Sequence, residues 1–127
     1  MKEYTVRVYD ERTEWQMKGK LHREDGPALE WANGTKEWYE NGQRHRTDGP
    51  ALERASGCKA WWENGKLHRT DGPAFEGANG TKEWYFNGKP VTEQEHKELT
   101  QRHTIVIDGK EIHLSHESYQ ALKKSLT

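Results

Sequence analysis

Three stretches, His22-Arg23-Glu24-Asp25-Gly26-Pro27-Ala28, His45-Arg46-Thr47-Asp48-Gly49-Pro50-Ala51 and His68-Arg69-Thr70-Asp71-Gly72-Pro73-Ala74, each bring an imidazole, a guanidinium and a carboxylate close together in sequence. Histidine and aspartate can move protons, and the arginine fork matches the geometry of carboxylate or phosphate. The spacing argues against a catalytic centre. The copies begin at 22, 45 and 68, a constant step of 23 residues, so each role is copied along a rod, whereas catalysis needs different roles converging on one substrate. A shared metal centre fails on distance. Equivalent residues in adjacent hairpins lie two strands apart, roughly 9–10 Å at about 4.8 Å per strand, whereas zinc holds imidazole nitrogens at about 2.0–2.1 Å. His22, His45 and His68 therefore cannot share one ion, and His96, His103, His113 and His116 show no tetrahedral ligand spacing. No nucleophile motif or phosphate loop is present. Cys58 stands where sister units carry Thr35 and Thr81, and reads as an incidental surface thiol. A non-enzyme with no metal or cofactor is expected.

Two readings of the repeated polar residues remain. In the structural one, Arg23-Asp25, Arg46-Asp48 and Arg69-Asp71 share a strand face and brace the following turn, while Gly-Pro fixes the chain direction at the bend. In the functional one, His22/Arg23, His45/Arg46 and His68/Arg69 form a ladder that engages several anionic groups. The aromatics divide similarly. Trp15, Trp38, Trp61 and Trp84 keep the 23-residue register and are expected to form a shared core, joined by Leu29, Leu52 and Phe75. Their neighbours Tyr39, Trp62 and Tyr85 should face the opposite side, because adjacent strand residues alternate faces. Exposed there, they would form an aromatic stripe of the kind enriched in binding hot spots.

These residues need a scaffold, and the turn signals define it. Asn41-Gly42 and Asn33-Gly34 mark two turns in the central unit, and Asn-Gly between alternating segments is a strong hairpin signal. One unit is thus expected to be one antiparallel hairpin, with a short strand at Lys36-Glu37-Trp38-Tyr39-Glu40 and a return from Gln43 to Ala51. Stacked hairpins make a mainly β fold, a meandering antiparallel sheet. The pattern resembles the MORN repeat, another 23-residue hairpin unit, and more closely the His-Arg-x-Asp-Gly-Pro-Ala repeats of small bacteriophage and large-virus proteins. The resemblance spans roughly Tyr4 to Val91. The glycine pair usual in MORN is replaced here by Arg and Asp-Gly-Pro, so the lipid binding suggested for MORN proteins is not carried over.

In the fourth unit Pro90-Val91-Thr92-Glu93-Gln94-Glu95 replaces the His-Arg-x-Asp run, and the array stops. Thr92 and Glu95 form a capping box that predicts a helix over 93–101, covering the last hairpin as arrays require. Thr104–Ile107 and Glu111–Leu114 flank Asp108-Gly109 as a further hairpin, and Ser115 caps a helix over 116–126 with Tyr119, Leu122 and Leu126 at helical spacing. Tyr4, Val6 and Val8 suit a strand that seals the first hairpin. The division is a repeat array with its first strand at 1–91 and a module of short capping helices and a hairpin at 92–127.

Composition sets the class of partner. Hydrophobic residues make up only 31% of the chain and the mean hydropathy is -1.26, values that would suggest disorder. Six Trp and five Tyr supply the missing core material, since each large aromatic buries roughly 150–250 Å². Twenty Lys and Arg against twenty-one Asp and Glu, interleaved throughout, weaken both a basic nucleic-acid binder and an acidic DNA mimic. The N-terminus lacks the apolar stretch of a signal peptide, no run is long enough to span a membrane, and Cys58 has no internal disulfide partner. A cytoplasmic location is expected, the host cytoplasm if the chain is phage-encoded. The expected function is binding and occlusion of a macromolecular partner, which the phage-type resemblance implies is host machinery, including a defence factor inhibited by the bound protein. The alternative is sequestration of a small anionic, nucleotide-like ligand on the Arg/His ladder. The open strand edges of a meander also allow homo-oligomers.

Overall fold

The structure is a computed structural model that describes residues 3–125. The chain opens with β1 (Thr5–Val8), β2 (Arg12–Met17) and β3 (Lys20–Leu21), followed by β4 (Leu29–Trp31), β5 (Lys36–Glu37), β6 (Tyr39–Glu40) and β7 (Gln43–Arg44). Next come β8 (Leu52–Glu53), β9 (Lys59–Ala60), β10 (Trp62–Glu63) and β11 (Lys66–Leu67), and then β12 (Phe75–Glu76), β13 (Lys82–Phe86) and β14 (Lys89–Val91). The C-terminal part holds α1 (Glu93–Leu99), β15 (Arg102–Ile107), β16 (Lys110–Ser115) and α2 (His116–Ser125). The molecule is mainly β, as its turn pattern indicates, with two short helices near the C-terminus.

One antiparallel sheet runs β1-β2-β4-β5-β8-β9-β12-β13-β14, with β3 paired to β2. Beside it lie the two-stranded hairpins β6-β7 and β10-β11. The stretch Lys36–Glu40, expected as one strand, is split at Trp38: β5 pairs β8, whereas β6 pairs β7. A 23-residue stretch therefore makes two hairpins where one was expected. Trp38 is the joint, because its N–H donates to the Ala51 carbonyl and its own carbonyl accepts from His45. Equivalent bonds join Trp15 to Ala28 and Trp61 to Ala74.

Two turn chemistries produce the two hairpins. At Asn41-Gly42 both residues are left-handed, with φ of 51° and 81°, the backbone of a tight hairpin turn whose twist matches the strands. At Asn33-Gly34 only the glycine is left-handed, and the Asn33 side chain accepts from the Thr35 N–H at 2.9 Å.

The best-buried column is alanine, not tryptophan. Ala28, Ala51 and Ala74 are 0% exposed, and Leu29, Leu52 and Ala60 complete the buried apolar set. Trp15, Trp38, Trp61 and Trp84 are half-buried, as is Phe75. The close backbone bonds at each Trp joint leave room for a methyl group but not for an indole, which lies on the surface of the joint instead.

β1 pairs β2 across four residue pairs, though Val6 and Val8 stay exposed. The capping box at Thr92 and Glu95 is present, and buried His96 places Nε2 2.5 Å from the Arg69 carbonyl oxygen, tying α1 to the third polar loop. The β15-β16 hairpin turns at Asp108-Gly109. Ser115 Oγ accepts from the Ser118 N–H at the start of α2, where Tyr119 and Leu122 are half-buried. Leu126 lies outside the described residues. Among the described residues no helix is long and apolar enough to cross a membrane.

Candidate functional site

The Arg/His ladder is the first candidate, and its groups are engaged within the protein. Arg23, Arg46 and Arg69 each lie flat over a tryptophan, Trp15, Trp38 and Trp61, with Cζ 3.8 Å from the ring centroid in all three. Each Nε donates to the aspartate two residues on, at 2.8–3.0 Å. Each Nη1 donates to the carbonyl of the following proline, at 2.9–3.2 Å. Arg23 and Arg69 also reach Glu30 and Glu76 at 3.1 Å. The glycine of Asp-Gly-Pro makes this possible: a Cβ on Gly49 would stand 3.0 Å from Arg46 Cζ. The Arg69 hydrogen bond, as the main cause, holds the Asp71 carboxyl below the usual carboxylate range.

The histidines fasten one unit to the next. Nδ1 of His22, His45 and His68 accepts the backbone N–H of Asn41, Asn64 and Asn87, at 2.9–3.0 Å. An accepting Nδ1 places the proton of the neutral ring on Nε2, which faces Glu24, Glu40 or Glu63 at 3.4–3.8 Å. The shallow grooves between successive loops, about 290 and 450 Å³, are rimmed by Asp25 and Asp48 and by Asp48 and Asp71. A ligand anion there meets cations already neutralised by carboxylates.

Tyr39, Trp62 and Tyr85 were expected as an exposed stripe, but all three are half-buried. The split strand accounts for two of them. β6 and β10 pair only with β7 and β11, outside the main sheet, so the alternation counted from Trp38 and Trp61 does not carry over to Tyr39 and Trp62, which join a different cluster; Tyr85 lies in the unbroken β13.

That cluster is built largely from residues that break the repeat. Arg44 aligns with Leu21 and Leu67, and Trp31 with Arg54 and Gly77, each at a 23-residue step, whereas Glu37 recurs as Glu14 and Glu83 and only the next unit replaces it, with Ala60. Glu37 is buried, and its carboxylate accepts from Arg44 Nη2 at 2.7 Å, Trp31 Nε1 at 2.8 Å and the Tyr39 hydroxyl at 3.3 Å. Burial, then the Glu37 charge, push the Tyr39 hydroxyl above its ordinary value. Arg44 in turn lies 5.3 Å from the Trp62 ring centroid. One unit on, Ala60 and Leu67 replace the ion pair, so the polar half of the face passes directly into an apolar half.

Two open depressions of about 400 and 410 Å³ mark this face, with Arg44, Leu52, Arg54 and Ser56 common to both. Trp31 and Glu37 wall the first; Trp62, Leu67 and Phe75 wall the second. Arg54 makes no ion pair with a carboxylate among the described residues. Trp62 Nε1 is the one buried side-chain polar atom among the described residues with no hydrogen-bond partner. Cys58 also lines the second depression. A hydrogen bond from the Ala78 backbone, another from Ser56 and the charge of Arg54 lower its thiol from the ordinary value. Sequence reasoning singled out Tyr39 and Trp62 but missed Trp31, Glu37, Arg44 and Arg54. For Trp31, Arg44 and Arg54 the signal was departure from the repeat at aligned positions; Glu37 shares its position with Glu14 and Glu83 and carried no such signal.

Among the described residues no group of three or more His, Cys, Asp or Glu side chains is placed to hold a metal ion. No family model, curated protein or solved structure matches the chain. Its class therefore rests on its own geometry, an antiparallel β protein with a polar repeated face and one unit-specific face.

Proposed function

We propose that the chain is a non-enzymatic binding protein, built of stacked MORN-like hairpin units, that occludes a protein partner with its unit-specific face. One observation carries this reading: residues that break the repeat, Trp31, Arg44 and Arg54, gather with Glu37 and Trp62 around open depressions on one face. A purely structural role would recur from unit to unit, as the Arg/Trp stacks do in the first three. Trp, Tyr and Arg are also the residue types that dominate binding hot spots. The resemblance to phage-type repeats directs the search for a partner to bacterial host proteins, defence factors among them.

The nucleotide-like alternative on His22, His45, His68, Arg23, Arg46 and Arg69 is the weaker one. The donors it requires already serve aspartates, proline carbonyls and turn N–H groups.

The test is affinity capture from a bacterial lysate with three baits. Wild type should retain a discrete protein that the Arg54→Gln/Trp31→Ala bait loses and an Asp25→Asn/Asp48→Asn bait keeps. Loss with the aspartate bait and retention with the other would move the surface to the His-Arg-x-Asp-Gly loops.

A further inference from the structure

The unit-specific face carries a particular chemical complementarity. Arg54 is an exposed guanidinium with no carboxylate partner among the described residues, and it lines both depressions. Arg44 stands beside it, committed through Nη2 to Glu37 and through Nε to the Tyr39 hydroxyl, but with no described hydrogen bond from Nη1. Two guanidiniums against one carboxylate leave a local excess of one positive charge. Next to that charge the floor turns apolar: Leu52 and Ala60 are buried, and Leu67 and Phe75 are half-buried. At the boundary sits Trp62, whose indole N–H is desolvated without an acceptor.

We propose that this face docks an acidic segment of a partner protein in which a carboxylate stands beside an aromatic or aliphatic side chain. The proposal rests on the reading of this face as the recognition surface and adds the chemistry of what it recognises. The carboxylate pairs with Arg54 and the open side of Arg44, in the planar geometry that guanidinium and carboxylate share. The neighbouring side chain lies over Leu67 and Phe75. A single excess charge matches a carboxylate better than a phosphate monoester, which carries about −1.5 to −2 at neutral pH. The openness of both depressions suits a chain passing across the face rather than a small molecule enclosed within it.

The test is a titration of 15N-labelled protein followed by NMR, with the Trp62 indole N–H signal assigned through Trp62→Phe. Three probes are used: the peptide acetyl-Asp-Phe-Glu-amide, its neutral counterpart acetyl-Asn-Phe-Gln-amide, and adenosine 5′-monophosphate. The acidic peptide should shift the Trp62 indole and the amides of 54–58 saturably. The neutral peptide, and the acidic peptide on Arg54→Gln, should bind about tenfold more weakly, as for loss of one charge-assisted contact. Alkylation of Cys58 by iodoacetamide should slow in the presence of the acidic peptide only. Equal response to both peptides, shifts confined to the 45–49 loop, no saturation at millimolar peptide, or tighter binding of the nucleotide would each overturn the proposal. If Arg54→Gln/Trp31→Ala abolishes capture of the cellular partner while the acidic peptide produces no shift, the recognition surface stands and the acidic chemistry falls. If capture is unaffected by those substitutions, the surface itself falls.

Discussion

The chain contains its own control for the buried ion pair. Glu37→Ala removes a carboxylate with an 8% exposed side chain that holds Arg44, Trp31 and Tyr39. Left behind are a guanidinium with a 33% exposed side chain and an indole N–H without its acceptor. Breaking a buried pair from one side costs about 3–5 kcal/mol, and the partial exposure of Arg44 places this case at about 3 kcal/mol. The next unit occupies the same two positions with Ala60 and Leu67. Glu37→Ala/Arg44→Leu therefore transplants a combination that this backbone already accommodates, and should lie within about 1 kcal/mol of wild type; since Arg44→Leu alone strands the buried carboxylate at a cost of about 3 kcal/mol or more, the coupling is about 5 kcal/mol. Urea unfolding followed by tryptophan fluorescence measures all four corners of the cycle. With a slope of about 1–3 kcal/mol/M, the single variant should lose about 1–3 M in midpoint, most of which the double variant regains. A double variant no more stable than Glu37→Ala would refute the reasoning, because the cost would then come from the lost acceptor and packing rather than from an unpaired charge.

Scaffold and recognition arginines should respond differently. Arg46→Lys keeps the charge but loses the stack on Trp38 and the hydrogen bond to the Pro50 carbonyl, a cost of about 2 kcal/mol, whereas exposed Arg54→Gln should change stability by no more than about 0.5 kcal/mol; equal midpoints for the two would contradict this division. His68→Ala leaves the Asn87 N–H without its acceptor and removes the Phe86 ring contact, which should cost about 1–3 kcal/mol and speed amide exchange at Asn87 in particular. The Asp71 carboxyl is depressed by its Arg69 hydrogen bond, so its contribution is present above the unfolded value near about 4 and is lost as pH falls through the folded value. Melting temperature should accordingly drop more steeply in wild type than in Asp71→Asn on acidification, and parallel acid limbs would remove Asp71 from the account.

Much of this architecture was legible because each turn carries its own chemistry. Asn-Gly requires left-handed backbone and marked the hairpins, the Thr92/Glu95 box marked α1, and Asp108-Gly109 marked the last hairpin. What the pattern hid was the break at Trp38. A run such as Lys36–Glu40 alternates like one strand, and only the pairing of its two halves with different partners divides it. That division left Tyr39 and Trp62 half-buried rather than exposed, since facing cannot be counted across a joint. The Arg/His ladder was visible, and so was the Arg-Asp pairing within it. The Arg/Trp stacking was not, because it depends on Asp-Gly-Pro folding each arginine back over a tryptophan eight residues earlier in the chain. The unit-specific face was readable in principle from the aligned positions 44/67 and 31/54, where the units disagree.

Hydrogen exchange of the protein, free and bound to its captured partner, tests most directly whether repeated residues form the scaffold and unit-specific residues do the binding. Protection on binding is expected in 31–37 and 52–62, with little change in the His-Arg-x-Asp-Gly loops at 22–26, 45–49 and 68–72. Protection centred on those three loops would contradict the division and return the binding role to the Arg/His ladder.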